Sequence, residues 1–321
     1  KKILSIICSL TLTVVMLSGC SGSDSSSDDK IKIGLEQLIE HPALDSAREG
    51  FEERMKEKGY EDGKNIEYEY KNAQGDNAIT QQIAQNFVSD KKDIIVAIAT
   101  PTAQAVYNAT KDIPIVFTAV TDPVAAELVK TLEKPGTNVT GTSDDVSIEK
   151  QFELLKSLVP NAKKVGMLYN TSEANSEVQV NKAKEASLGY GLEIVPKGIT
   201  NVNEIDAALN SLLGEIDALY IPTDNTVATY ATAIDNICRP AGVPIIAGEE
   251  GVCAGCGVAT LSISYYDLGY ATGEMAAQIL KGEADISTMP VGYAKNFTPK
   301  YNAEMCETLG LTPPEGYEAI G

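Results

Sequence analysis

The sequence predicts an α/β protein built as two doubly wound, parallel-sheet lobes joined by a hinge. Three observations carry that prediction. Short apolar, β-branched runs alternate with stretches of helical period from Lys30 to about Leu280, an order that implies parallel strands joined by crossover helices. The alternation pauses between Leu132 and Gly141, where Pro135-Gly136 and Thr140-Gly141 mark a loop and a crossing, and then restarts. The chain has 321 residues, 43% of them hydrophobic, enough for two cores of ordinary size.

Taken in order, Ile31–Leu35 is the first strand. Leu44, Ala47, Phe51 and Met55 then recur at helical spacing, and Gly59 closes that helix. Asn65–Tyr70 alternates as a second strand, and Asp76 can cap a helix carrying Ile79, Ile83 and Phe87. Ile94–Ile98 is apolar throughout, the mark of a strand buried on both faces. Thr100 can cap the next helix, which runs through Tyr107, and Pro101 suits its first position, where no N–H is needed. Ile115–Val120 is the fourth strand and leads through Thr121 to a helix opening at Asp122-Pro123.

A strand, a cap, a proline and a helix thus follow one another at His41-Pro42, Thr100-Pro101 and Asp122-Pro123. X-Pro starts helices well wherever it occurs, so one instance says little. Three in one half of a chain point to several helix starts converging on one crevice. The carboxyl edge of an open parallel sheet is where ligands bind. Free N–H groups there suit an anion such as a carboxylate.

Beyond the crossing, a helix covers Ile148–Leu158. Strands at Lys164–Tyr169, Leu192–Val195, Ala218–Ile221 and Val243–Ala247 alternate with helices at Val178–Leu188, Val202–Leu213 and Thr226–Cys238. Val258–Ser264 then feeds a helix, Tyr266–Leu280. The lobes are read as 30–138 with about 264–290 returning to it, and 139–263 with about 291–321.

The first 29 residues read differently. Lys1 and Lys2 precede the mostly apolar Ile3–Leu17, which is short for a bilayer span. Leu17-Ser18-Gly19-Cys20 resembles the lipobox of bacterial lipoproteins, so residues 1–19 are read as a signal peptide and Cys20 as the lipidation site. An ordinary signal peptide or anchor, with Cys20 incidental, is the alternative. Residues 20–29 are Ser- and Asp-rich and read as a flexible tether. The resulting picture is an extracytoplasmic body, lipid-anchored to the cell membrane.

Net charge is −19 with a pI of about 4.5, which argues against nucleic acid as a partner, since phosphate backbones reward basic patches. No G-x-S-x-G elbow, P-loop or G-x-G-x-x-G is present, and the single histidine, His41, cannot build a His-rich metal site. No cofactor or metal is implied, and an enzyme is disfavoured, although an acid pair could still perform acid–base work. Cys253-Ala254-Gly255-Cys256 has C-x-x-C spacing, but no second such motif and no nearby histidine support zinc. A structural disulfide or free buried thiols among Cys238, Cys253, Cys256 and Cys306 is the plainer reading.

Several strings resemble one family. These are His41-Pro42-Ala43-Leu44-Asp45, Ala97-Ile98-Ala99-Thr100-Pro101, Thr121-Asp122-Pro123-Val124, Leu168-Tyr169-Asn170 with Ser172–Ser176, Ile221–Asn225 and Tyr265–Tyr270. Together they are similar to the ABC-transporter substrate-binding family that includes tryptophan-binding lipoproteins, with the type I periplasmic-binding-protein clamshell fold. The likeness covers Lys30 to about Leu311. It departs at Gly251–Gly257, where a charged or polar turn is expected in relatives. The resemblance implies import: a small solute, aromatic amino acids being the best-known class, is captured between the lobes and delivered to an ABC permease. A ligand sensor for a membrane signalling partner is the alternative.

A free amino acid presents a carboxylate, an ammonium and a side chain. Helix starts at His41-Pro42, Thr100-Pro101 and Asp122-Pro123 can give N–H donors to the carboxylate, and Thr100 and Thr102 add hydroxyls, unless they only cap. The second lobe offers Asn170, Glu173, Asn175 and Ser176 after one strand, Asp224 and Asn225 after another, and Glu249 after a third. Asp224 is the first choice for the ammonium, with Glu249 or Asp122 next; N-capping is the plainer role for each. Leu38, Tyr169 and Tyr265 are candidates for the wall around the side chain. His41 can stack on a ring, hydrogen-bond to it, or cap its helix.

Overall fold

The computed structural model describes residues 30–320 and folds them around two sheets. The signal-peptide, tether and Cys20 readings fall outside the described residues. In chain order the elements of the first lobe are β1 (Ile31–Gln37), α1 (Pro42–Glu57), β2 (Ile66–Asn72), α2 (Asn77–Ser89), β3 (Ile94–Ile98), α3 (Thr100–Ala109), β4 (Ile115–Thr118) and β5 (Val139–Ser143). The second lobe comprises α4 (Ile148–Leu158), β6 (Lys164–Asn170), α5 (Ala174–Ser187), β7 (Glu193–Ile199), α6 (Ile205–Leu212), β8 (Ala218–Ile221), α7 (Asn225–Ala228), α8 (Ala231–Cys238), β9 (Ile245–Ala247), α9 (Glu250–Cys256) and β10 (Ala259–Ile263). The chain then returns through α10 (Tyr265–Leu280) and β11 (Gly292–Tyr293), and ends in β12 (Phe297–Tyr301), α11 (Ala303–Thr308) and β13 (Glu318–Ala319).

The first sheet has the order β11-β5-β4-β3-β1-β2 and is parallel throughout. The second runs β13-β12-β10-β9-β8-β6-β7, with β12 antiparallel to β10. Each sheet is covered on both faces. In the first, Leu44, Phe51 and Leu268 pack on one side and Phe87, Val106 and Phe117 on the other. In the second, Leu209 and Ile234 oppose Phe152 and Tyr220. Burying Ile94–Ile98 completely is what a parallel sheet with two covered faces requires.

The chain crosses between lobes three times, after β5, after β10 and after β11. The second crossing delivers α10 onto α1, where the two backbones nearly touch. A Cβ on Gly269 would lie 1.8 Å from the Ala47 carbonyl oxygen, and one on Gly50 would lie 2.1 Å from that of Tyr266. Only glycine permits that approach.

The structure corrects several sequence expectations. Val139–Ser143, read as loop and as the start of the second lobe, is strand β5 of the first sheet. Its polar side chains find partners on neighbouring segments: Thr142 Oγ1 lies 3.1 Å from Thr118 Oγ1 of β4 and 2.7 Å from Thr272 Oγ1 of α10, and Thr140 donates to Met289 O at 2.8 Å. Gly292–Tyr293, assigned to the second lobe, pairs with β5 as well. No helix follows Asp122-Pro123. One turn forms there, with Ala126 N donating to Asp122 O, and Glu127 at φ +59° ends it. The helix expected from Val178 starts at Ala174, and the one expected over Thr226–Cys238 breaks into α7 and α8.

Candidate functional site

The carboxyl ends of the strands of both sheets face each other, and the lobes touch across the gap. His41 Nε2 lies 3.3 Å from Asn225 Oδ1, and the hydroxyls of Thr121 and Thr223 are 3.5 Å apart. Lys182 of α5 reaches Asp145 at 3.2 Å and Asp122 at 3.5 Å. A small cavity between the rims is lined by Leu38 and Pro101 from the first lobe and by Asn170, Glu173, Thr200 and Thr226 from the second.

On the first rim, the ends of β3 and β4 carry left-handed alanines, Ala99 at φ +88° and Ala119 at φ +57°. Such strain, about 1–3 kcal/mol per residue, persists where the surroundings hold it and clusters at ligand sites. Ala99 is the residue that caps α3, so Thr100 sits inside the helix and not before it. The Thr100 hydroxyl is therefore released from capping; it is buried and has no hydrogen-bond partner. Thr102 differs. Its hydroxyl is shared between the Ile98 and Ala99 carbonyls at 2.8 and 2.7 Å, so its donor is committed to its own helix start. His41 precedes α1 without a side-chain capping bond, and its Nδ1 is buried and unpartnered. Asp122 is partly exposed; it accepts from Ala125 N at 3.0 Å and faces Lys182.

The rim ends at Asp144, directly after β5. Its Oδ2 accepts from the Tyr265 hydroxyl at 2.9 Å, while Oδ1 is buried without a partner. Burial pushes this carboxyl up to about 6, against the pull of the Tyr265 and Thr121 hydroxyls. Tyr265, expected as part of an apolar wall, presents a committed hydroxyl instead. Glu36 on β1 is fully buried with neither oxygen paired, and desolvation alone raises it to about 9. It lies on the strand face of Gly34, whose missing Cβ points at Phe87 of α2.

The second rim is wired to itself. Glu173 accepts from the backbone N–H and side chain of both Asn225 and Thr226, at 2.6–3.1 Å. Asp224 accepts from Val227 N at 2.8 Å, as the cap of α7, and also from Asn170 N at 2.6 Å and Ser176 Oγ at 2.7 Å. Burial raises its pKa, and the neighbouring Glu173 charge adds to that. Three donors of its own lobe thus hold Asp224, one on Oδ1 and two on Oδ2, which makes the capping role the one its contacts display. Glu249 caps α9 through Gly251 N at 2.6 Å and Val252 N at 2.5 Å; burial raises it while the His41 charge opposes. Asn170 donates to Thr226 Oγ1 at 2.7 Å. Asn175 donates to Thr223 O at 3.0 Å, and its Oδ1 is the one buried atom of this rim's site residues left unpartnered. Tyr169 packs beside the Phe152 core as a half-buried ring.

Sequence reading missed Asp144 and Glu36. Asp144 was hidden because β5 was not seen as a strand; the β-branched run Val139-Thr140 with Thr142 ahead of Ser143-Asp144 was the available signal. Cys238, Cys253, Cys256 and Cys306 are separate buried thiols. Among the described residues no group of His, Cys, Asp or Glu could hold a metal, and no helix is long and apolar enough to cross a membrane.

Paired α/β lobes with strand ends meeting across a cleft define a solute-binding protein fold. Residues 32–318 match the model of the ABC transporter substrate binding protein family, and the chain belongs to that family of extracytoplasmic solute-binding proteins. It is 50% identical over 301 residues to the tyrosine-binding protein of Clostridioides difficile strain R20291, covering 91% of this chain and 87% of that protein. It is similar to the ABC domain from Streptococcus pneumoniae solved in complex with L-Trp, at 35% identity and TM-score 0.87, covering 91% and 100% of the two chains. A ligand-free, open substrate-binding protein with adhesive properties from Clostridium difficile is 50% identical but superposes at only 0.70, covering 90% and 98%.

Proposed function

We propose that the cleft captures a free aromatic amino acid, tyrosine before tryptophan or phenylalanine, and hands it to an ABC permease. The observation that carries this reading is the set of buried, unpartnered polar atoms at the strand ends: His41 Nδ1, Thr100 Oγ1 and Asp144 Oδ1 from one lobe and Asn175 Oδ1 from the other. A buried polar group without a partner costs about 1–3 kcal/mol, so a cleft whose two rims together keep four of them is built to be completed by something else. The name of the half-identical relative favours tyrosine. The better superposition on the L-Trp complex than on the open relative supports a closed arrangement of the lobes.

In this reading the Thr100 hydroxyl and the start of α3 receive the ligand carboxylate, and Asn175 takes part from the opposite rim. Leu38 and His41 flank the side chain, with Tyr169 behind. Asn170, Glu173, Ser176, Asp224, Asn225 and Glu249 act indirectly, by holding the second rim in shape. The lipid anchor on Cys20 rests on the leader and lipobox strings; loss of membrane association in Cys20→Ala is the expected outcome.

The protein contains no tryptophan, so added L-tryptophan supplies the only indole emission. A saturable shift of that emission, displaced by tyrosine with the tighter affinity, is expected. No shift with tryptophan and no thermal stabilisation by tyrosine or phenylalanine would overturn the aromatic assignment.

A further inference from the structure

We propose that Asp144 and Tyr265 together form the seat of the ligand's ammonium group. The proposal rests on the amino-acid reading above and assigns the one ligand group that the second rim leaves unanswered. The acids around the cleft differ in how far their oxygens are already engaged. Glu173 and Asp224 have both oxygens occupied by donors of their own lobe. Glu249 is closed over the start of α9. Asp122 faces Lys182 at the edge of the gap. Glu36 is unpaired but turned to the α2 side of its sheet, two residues short of the rim residue Leu38. Of these acids Asp144 stands at a strand end, 4% exposed, with one carboxylate oxygen, Oδ1, that accepts no hydrogen bond from the described residues, although the Thr121 hydroxyl lies close enough to stabilise its charge.

The pair's hydrogen-bond polarity selects the guest. The Tyr265 hydroxyl donates its only hydrogen to Asp144 Oδ2. What remains is Asp144 Oδ1 and the lone pair of the phenol oxygen, both acceptors. A carboxylate or phosphate would be repelled. A primary ammonium brings donors only, together with the opposite charge, and forms the stronger class of hydrogen bond. The pair also sits where the lobes hinge: Asp144 opens the first crossing, and Tyr265 begins α10 just past the second. An ammonium held there bridges two of the three crossing segments, so occupying the seat fixes the closed arrangement.

The test compares tyrosine with its desamino analogue, 3-(4-hydroxyphenyl)propionate, by calorimetry on wild type, Asp144→Asn and Tyr265→Phe. Asp144→Asn is expected to weaken tyrosine at least thirtyfold and leave the analogue within twofold; Tyr265→Phe is expected to show the same selectivity with a smaller loss. Equal weakening of both ligands, or unchanged tyrosine affinity, overturns the seat. Should Asp144→Asn fail to fold, Tyr265→Phe carries the comparison alone. If wild type takes a different amino acid, the aromatic assignment falls and the same variants are compared on that amino acid and its desamino form. A wild-type protein that binds no free amino acid overturns the proposed function and the seat with it.

Discussion

Across the cleft, the rim of the second lobe satisfies its own polar groups except Asn175 Oδ1, whereas the rim of the first leaves several open. Glu173 is held by four donors from the segment after β8, and Asp224 by its own helix start together with Ser176 and the Asn170 amide from across the lobe. Thr100 and Asp144 are as deeply buried and are left with unused atoms. Burial therefore does not separate a structural acid from a receptive one; the count of donors around it does. One rim behaves as a finished surface against which the other, unfinished one closes.

Removing the centre of the finished rim should have the largest effect. Glu173→Ala strands the donors of Asn225 and Thr226 and is expected to cost about 3–5 kcal/mol, read as a fall of about 10 °C in the melting temperature. A fall of a degree or two would mean that the second rim does not depend on its internal network.

The open acids of the first lobe should show themselves through pH. Folding holds the Glu36 proton up to about 9, whereas an unfolded chain releases it near 4.3. The folded state thus binds the proton more tightly, and stability falls as pH rises between those values, by at most about 1.4 kcal/mol per unit. Asp144, raised to about 6, adds in the same direction at the acidic end of that window. Ligand-free protein is expected to melt higher at pH 5 than at pH 8, and Glu36→Gln to flatten most of the slope. A slope unchanged in that variant would place the titration elsewhere.

A smaller effect separates binding from stability. Thr100→Val removes a hydroxyl that has no protein partner, so melting should hold while ligand affinity falls about ten- to a hundredfold, the weight of one hydrogen bond to a charged group at about 1.5–3 kcal/mol. The corresponding change at Thr102, whose hydroxyl is bonded at both ends of the strand–helix turn, should instead lower the melting temperature. Least of all, Lys182→Met cuts the ion pairs that bridge the gap at its edge. Exposed pairs contribute about 0.2–1 kcal/mol, so affinity should fall no more than about fivefold at low salt and the difference should vanish at high salt.

Much of this was legible in the chain. The apolar run Ile94–Ile98 followed by Thr100-Pro101 marked both the strand and the edge at which ligand groups gather, because hydrophobic period and proline placement are local signals. Asp224 was read as a ligand contact because an Asp before a helix looks the same whether it caps or binds. Invisible in the sequence is the arrival on it of Ser176 and the Asn170 amide from elements far off in the chain. Strand β5 escaped for a related reason: Thr140 bonds the Met289 carbonyl and Thr142 meets the hydroxyls of Thr118 and Thr272, and such polar pairing leaves no trace in a hydrophobicity pattern. The turn at Asp122-Pro123 resembled a helix start for its first four residues, and only the left-handed backbone at Glu127 stopped it.

The glycine contact between α1 and α10 has a consequence for how the chain is made. Gly269 meets the Ala47 carbonyl only after β6 to β10 of the second lobe have been synthesised. The earlier half of the nascent polypeptide therefore waits, one flank of its sheet uncovered, for a helix still inside the ribosome. Its completion is timed by the later half, and interruption of translation anywhere between the two glycine-bearing helices leaves a product that cannot seal.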